Sequence, residues 1–495
     1  MSKHYHAQCV AKVGRLKAAL DRYGLQPSGT FADIAPAAAI EGYRRRAKLV
    51  VAAAPGGGGA IGLYQRQDNQ HVIDIPNCKV LRPELMALVS SLRALIAECP
   101  AELSVLLTPA GEHAGALTGI DARLLHPPAV QQEVAPAPQI LLTLVLDAER
   151  AANEADMRTA ADALRDRLPQ VAGVAFSMRY NSRHHASSDL LFASGVNEMK
   201  DQVGTCYQLA SHTSFLHVHR EQAARLYQLL CKVAATGTST ASMKVLDLYG
   251  GTGAIALSLA QAGHQATLVE SYPPAAALAL RAAQAQRLAV EVVTGDVASV
   301  TKALAAAGST FDVVVANPPR RGLSPAAREA IAALKPARIV YVACDLNNLG
   351  RDVDHLARLG FQLQALHPLD MLPLTEEVEV VAVLTHGQLP PPSLLYQDDE
   401  ILVFNKPAHE PLHDRHEYPV SLASRARAHF DGGEWVTVLE TDASTSGVCL
   451  VARDQQTADA WIDALTASGR LVYLAAARGV TPAKGAITRE LRAEE

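Results

Sequence analysis

Residues 244–260, KVLDLYGGTGAIALSLA, decide the fold. A short apolar run carries Asp247 near its end, Gly250, Gly251 and Gly253 follow, and apolar residues then recur at helical spacing. Glycines at such a strand-to-helix turn let the backbone pass close to a ligand, where a helix presents unpaired N–H groups. Working outward, strand-like runs QATLVES (265–271), VEVVTGD (290–296), FDVVVANPP (311–319), ARIVYVAC (337–344) and FQLQALHP (361–368) alternate with helical stretches such as PAAALALRAAQAQ (274–286), and VEVVAVL (378–384) closes the series. This rhythm predicts an α/β, doubly wound Rossmann-like sheet with ligands beyond the carboxyl ends of its strands.

The strand ends carry the chemistry. Glu270 stands where a carboxylate accepts ribose hydroxyls, Asp296 follows the third strand, and Tyr249 and Asn317 flank the glycine turn and the fourth strand. A glycine-rich turn is shared by several nucleotide sites, but this one departs from GxGxxG, which favours S-adenosylmethionine over a nicotinamide cofactor. Arg320 and Arg321 follow Asn317-Pro318-Pro319, where a guanidinium suits a phosphate or a carboxylate. Cys344 in YVACDLNNLGRD and Glu379 in LDMLPLTEEVEVVAVL supply a thiol and a carboxylate that only the fold can bring together. A lone cysteine after an apolar strand is more often a buried structural thiol. Its position beyond the Asn-Pro-Pro turn and before Glu379 makes it a nucleophile candidate.

With 495 residues and 49% apolar content, the chain has room for two to four domains. Before the doubly wound stretch, the helical YHAQCVAKVGRLKAALDRYG (5–24) and PELMALVSSLRALIAEC (83–99) and the strand-like RAKLVVAA (46–53), AIGLYQ (60–65), QHVIDI (70–75) and ILLTLVLD (140–147) predict an α+β region over 1–210. A doubly wound domain is expected over 211–386, HGQLPPPS makes 387–393 a stiff proline-rich linker, and a small α+β segment is expected over 394–495. The net charge of −5 argues against generic polyanion binding, so any nucleic-acid contact falls to local clusters such as Arg44, Arg45, Arg46 and Lys48, which equally suit a solvated strand edge. Seven scattered cysteines without a CxxC, no basic start followed by an apolar stretch, and no long apolar run predict a cytoplasmic protein without a membrane span. No metal site is expected.

GYRRRAKLVV, IGLYQRQDNQHVIDIPNC, SFLHVH, VLDLYGG, ANPPRRGL, YVACDLNNLGRD and LDMLPLTEEVE, in that order over about residues 5–385, resemble the RNA uracil-5-methyltransferase family, the branch acting on 23S ribosomal RNA most of all. The resemblance implies a nucleophile at Cys344, a base at Glu379, and S-adenosylmethionine contacts at the glycine turn, Glu270 and Asn317; Asp247, Tyr249 and Asp296 are expected beside them as further cofactor contacts. His217 stands at a cofactor-touching position where the family has Gln, Asp345 where it has Asn, and Glu377 where it has His. An added carboxylate at 345 is expected to disfavour the thiolate. Cys9 and Cys78 alone match iron-sulfur positions, so no cluster is expected.

The tail, with SLLYQDDEILVFNKPAHEPLH, LETDASTSGVCLVARD and VYLAAARG, resembles a truncated RluA-type pseudouridine synthase. Asp442 falls on the catalytic aspartate and Tyr473 on the active-site tyrosine, but Glu440 replaces an arginine. The reading is a monomeric enzyme forming 5-methyluridine in structured RNA, ribosomal RNA before tRNA, with a vestigial synthase site. The alternatives are a catalytically weakened RNA-binding protein and a bifunctional methyltransferase and pseudouridine synthase.

Overall fold

The computed structural model describes residues 3–468 and 472, apart from 55–58, 67, 111–114, 130–135, 180–189, 237–241 and 416–418. An eight-stranded sheet is formed by β1 (Thr30–Phe31), β2 (Lys244–Leu248), β3 (Gln265–Glu270), β4 (Val290–Thr294), β5 (Val313–Ala316), β6 (Arg338–Ala343), β7 (Phe361–Leu369) and β8 (Glu379–His386). The spatial order is β1-β7-β8-β6-β5-β2-β3-β4. Its centre is parallel, and β8 runs antiparallel between β6 and β7. The β-branched runs explain the two-sided burial. Side chains alternate along a strand, so Leu246, Val314, Ala316 and Tyr341 enter one core while Val245, Val313, Val315 and Val340 enter the other. Strands covered on both faces need continuous apolar sequence, and β5 is buried at every position.

The N-terminal helix Lys3–Asp21 and β1 belong to this sheet's surroundings, although the expected α+β region ran over 1–210. β1 pairs in parallel with β7, Thr30 opposite Ala365. Lys12 Nζ lies 2.6 Å from Asp370 Oδ1, and Tyr5 Oη donates to Oδ2 at 2.6 Å, all three buried. These partners lie more than 350 residues apart, beyond any local pattern. They tie the helix to the segment that carries Met371 and Leu372 into the cavity described below.

The remaining N-terminal residues form a seven-stranded sheet in the order Asp68–Asp74, Gly59–Gln65, Arg46–Ala53, Leu117–Leu125, Gln139–Asp147, Val171–Arg179, Leu190–Gly195. Helix Glu154–Arg167 makes the crossover between its one parallel pair, and its Asn153 cap accepts the Asp156 N–H. Helix Pro83–Glu98 buries Leu85, Leu88, Leu92 and Ile96 in the same core. A hairpin, Glu198–Val203 with Cys206–Ser211, follows.

Residues Met1–Pro390 with two short pieces around 407–409 and 415–420 make one compact unit, so the proline run coincides with its end. The second unit has an antiparallel sheet, Leu394–Gln397, Ile401–Lys406, Gly447–Ala452 and Val436–Thr437 in that order, with helices Leu422–His429 and Gln455–Ser468. Leu402, Phe404, Leu422, Trp435 and Val451 form its core, with the Glu410–Arg425 ion pair buried beside it.

Candidate active site

Beyond the carboxyl ends of β2, β3, β5 and β6 lies a cavity of about 1330 Å³, larger than a single small-molecule pocket requires. Its walls bring together Arg44, His217, Tyr249, Gly250, Gly251, Glu270, Asp296, Asn317, Arg320, Arg321, Cys344 and Glu379.

The glycine turn is built for close approach. Gly251 has φ +56° and space around an added Cβ, while a Cβ on Gly250 would fall 2.4 Å from Leu268 Cγ. Glu270 holds this turn, its Oε2 accepting the Gly251 N–H at 2.9 Å and Oε1 the Tyr272 N–H at 2.7 Å. Asp296 caps helix Val297–Ala306, and the Ser299 backbone N–H holds its carboxyl below the usual range. Asp247 and Gly253, expected as contacts, stand behind the wall. Asp247 is buried, and its Oδ2 accepts the Ala256 N–H at 3.0 Å. Its Oδ1 has no hydrogen-bond partner among the described residues, and burial pushes its pKa up to about 7. Gly253 is the N-cap of helix Ala254–Gln261 with φ +90°, where an added Cβ would fall 3.1 Å from Ala279 Cβ.

Gln208 is a wall residue the sequence reading missed. Its Nε2 donates to Asp201 Oδ2 at 3.0 Å, its Oε1 accepts from Thr252 Oγ1 at 2.8 Å, and Arg45 pairs with Asp201 at 2.8 Å. This buried chain runs from the N-terminal sheet through the hairpin to the glycine turn. Apolar alternation could not flag it, since its members are polar and distant in sequence. His217 is buried between Phe215 and Tyr227, and burial drives its pKa down to about 4. The neutral imidazole offers one donor and one acceptor.

Cys344 follows β6 and Glu379 begins β8, so the sheet brings them to one wall. Burial first, then the Glu379 carboxylate, pushes the Cys344 thiol up to about 11, while Arg320 pulls it down. Burial also raises Glu379 to about 7, against the pull of Arg320. Arg320 Nη1 lies 3.1 Å from Glu377 Oε1. Asp345, expected to oppose the thiolate, instead caps helix Leu346–Arg358, its Oδ1 accepting the Asn348 N–H at 2.9 Å. The carboxylates acting on the thiol are Glu379 and Glu377.

The basic cluster divides. Arg45 is 3% exposed and spent on Asp201, and Arg46 is paired with Asp121 at 2.7 Å, so neither is free for phosphate. Arg44 reaches the cavity, and Lys48 is exposed away from it. In the second unit Asp442 is exposed, Glu440 pairs with His413 at 2.9 Å, and Tyr473 lies outside the described residues. Among the described residues, no helix is long and apolar enough to cross a membrane and no His, Cys, Asp or Glu group is arranged to hold a metal ion.

Residues 225–334 match the family model of the methyltransferase small domain. An uncharacterized RNA methyltransferase of Geobacter sulfurreducens is 30% identical over 347 residues, 69% of this chain and 65% of the relative. One of Halalkalibacterium halodurans is 28% identical over 386 residues, 77% of this chain and 79% of the relative. The crystal structure of Pyrococcus abyssi tRNA (uracil-54, C5)-methyltransferase in complex with S-adenosyl-L-homocysteine superposes with a TM-score of 0.59 at 22% identity, covering 77% of this chain and 83% of that one. The chain is thus similar in sequence to RNA methyltransferases, and its fold is the mixed α/β methyltransferase fold.

Proposed function

We propose that this chain is an S-adenosylmethionine-dependent RNA methyltransferase acting on uridine C5. The observation that carries the reading is the meeting of Cys344 and Glu379 on the wall of the cavity that also holds the glycine turn, Glu270 and Asn317. The residues fit the cofactor: a Cβ on Gly251 would meet open space, and Glu270, Asp296 and Asn317 line the same cavity as Cys344, the carboxylates being of a type that accepts hydrogen bonds from ribose and adenine. Bound there, S-adenosylmethionine would supply an electrophilic methyl group.

Uracil C5 becomes nucleophilic only after addition at C6. Cys344 Sγ bonds to C6, the C5=C6 electron pair becomes an enolate, and C5 takes the methyl group. Glu379 then removes the C5 proton, the double bond re-forms, and the thiolate leaves. A carboxyl raised to about 7 is half in its basic form at neutral pH. The Arg44, Arg320 and Arg321 side chains supply cations for the RNA backbone, with the N-terminal sheet as the RNA-binding region and ribosomal RNA favoured over tRNA.

RNA carrying 5-fluorouridine tests this directly. Fluorine cannot leave C5 as a cation, so the methylated adduct is trapped and a cofactor-dependent protein–RNA band survives denaturation. A band of equal strength with Cys344→Ala would overturn the reading.

A further inference from the structure

Glu377 is a carboxylate where the resembled family has histidine, and its Oε1 lies 3.1 Å from Nη1 of Arg320, a cavity-lining residue on the loop after β5. Both side chains are partly exposed, 66% for Arg320 and 38% for Glu377, so the pair is not needed to hold the fold together. The same two residues are the ones that act on both Cys344 and Glu379, Arg320 favouring their charged forms and Glu377 opposing them. Other charged groups of the cavity stand on different elements: Arg321 on the Asn-Pro-Pro loop, Arg328 on helix Pro325–Ala333, Arg351 on helix Leu346–Arg358, Arg44 before the Arg46–Ala53 strand, and Glu270 and Asp296 at the ends of β3 and β4. The neutral His217 adds no charge.

We propose that Arg320 and Glu377 form a charge pair that sets the reactivity of Cys344, Glu377 holding back the cation that would otherwise stabilise the thiolate. The inference deepens the proposed function, on whose reading the thiolate matters, and makes Glu377 a positioning residue rather than a catalytic one. A glutamine at 377 can still accept a hydrogen bond from the guanidinium while its negative charge is gone, so Arg320 stays in place with its charge uncompensated.

The test follows alkylation of Cys344 by iodoacetamide against pH in the full chain, read by mass spectrometry of the peptide containing that residue. It needs neither RNA nor cofactor. Relative to wild type, E377Q should shift the alkylation midpoint to lower pH by roughly half a unit and raise the rate at pH 8 about threefold. R320Q should shift it upward by a similar amount, R320K should restore it, and in the R320Q background E377Q should have a smaller effect than alone. Unchanged midpoints in both E377Q and R320Q, with circular dichroism intact, would overturn the pair's role. Shifted midpoints in a protein that never forms the fluorouridine adduct would leave this inference standing and remove the proposed function.

Discussion

Ala343 of β6 pairs with Val380 of β8 in the last rung of that antiparallel ladder, and Cys344 and Glu379 are the residues next to that rung, one following Ala343 and the other preceding Val380. Thirty-five positions of sequence (379 − 344) are thereby brought to one end of the ladder, on the wall of one cavity. The reversal of β8 achieves this, because an antiparallel strand starts where its parallel neighbour ends.

The first prediction concerns these two residues. Cys344→Ala should lower methyl transfer by roughly three orders of magnitude or more while leaving S-adenosylmethionine affinity nearly intact. Glu379→Gln should differ: the Sγ–C6 bond still forms but resolves slowly, so a protein–RNA band persists in denaturing gels without any base analogue.

The second concerns pH. Glu379 is raised from 4.5 to about 7 and Asp247 from 3.8 to about 7, burial being the main cause for both. Between their unfolded and folded values the native state binds more protons than the unfolded one, so stability falls as pH rises through roughly 4 to 7. Glu379→Gln and Asp247→Asn should each remove part of that slope and stabilise the fold at pH 8 by on the order of 1–2 kcal/mol. Activity should run the opposite way, rising through about pH 7 as Glu379 becomes a base. Denaturant titrations at several pH values check the sign, and equal slopes for the variants and wild type would contradict it.

The third concerns the glycine turn. Gly251→Val places a β-branched residue at φ +56° and fills the space toward the cavity, so calorimetry should show no S-adenosylmethionine binding. Asp247→Ala should weaken binding by a different route, because it frees the Ala256 N–H and loosens the helix behind the turn.

The fourth separates framework arginine from surface lysine. Arg45→Ala strands Asp201 in the interior and should cost about 3–5 kcal/mol. Lys48→Ala should leave the melting temperature unchanged, and any effect on RNA affinity should appear as a shallower salt dependence.

Much of the fold was legible because both periodicities are strong. RAKLVVAA marks the Arg46–Ala53 strand to the residue, and the β-branched runs of 244–384 mark the central sheet. The two-residue β1 carries no such signal and exists through its pairing with β7. The hairpin ending at Ser211 is too polar to stand out, and Gln208 went unread with it. Reading Arg44, Arg45 and Arg46 as one basic patch ignored that consecutive residues of an extended run face opposite ways. Arg45 turns inward because Asp201, 156 positions away, is there to receive it.

The fifth prediction concerns the second unit. Asp442 is exposed, and the Glu440 that replaces the resembled family's arginine is paired with His413. Mapping of pseudouridine in RNA treated with the pure protein should find none that depends on Asp442. Removing residues 387–495 should lower stability or RNA affinity without changing which nucleotide is methylated.

The most direct test of the central claim is nucleoside mass spectrometry of unmodified ribosomal RNA after incubation with the purified full chain and S-adenosylmethionine carrying a labelled methyl group. The account predicts label in 5-methyluridine with wild type and none with Cys344→Ala. Label on a base nitrogen or a ribose hydroxyl, or 5-methyluridine formed equally well without the thiol, would contradict it.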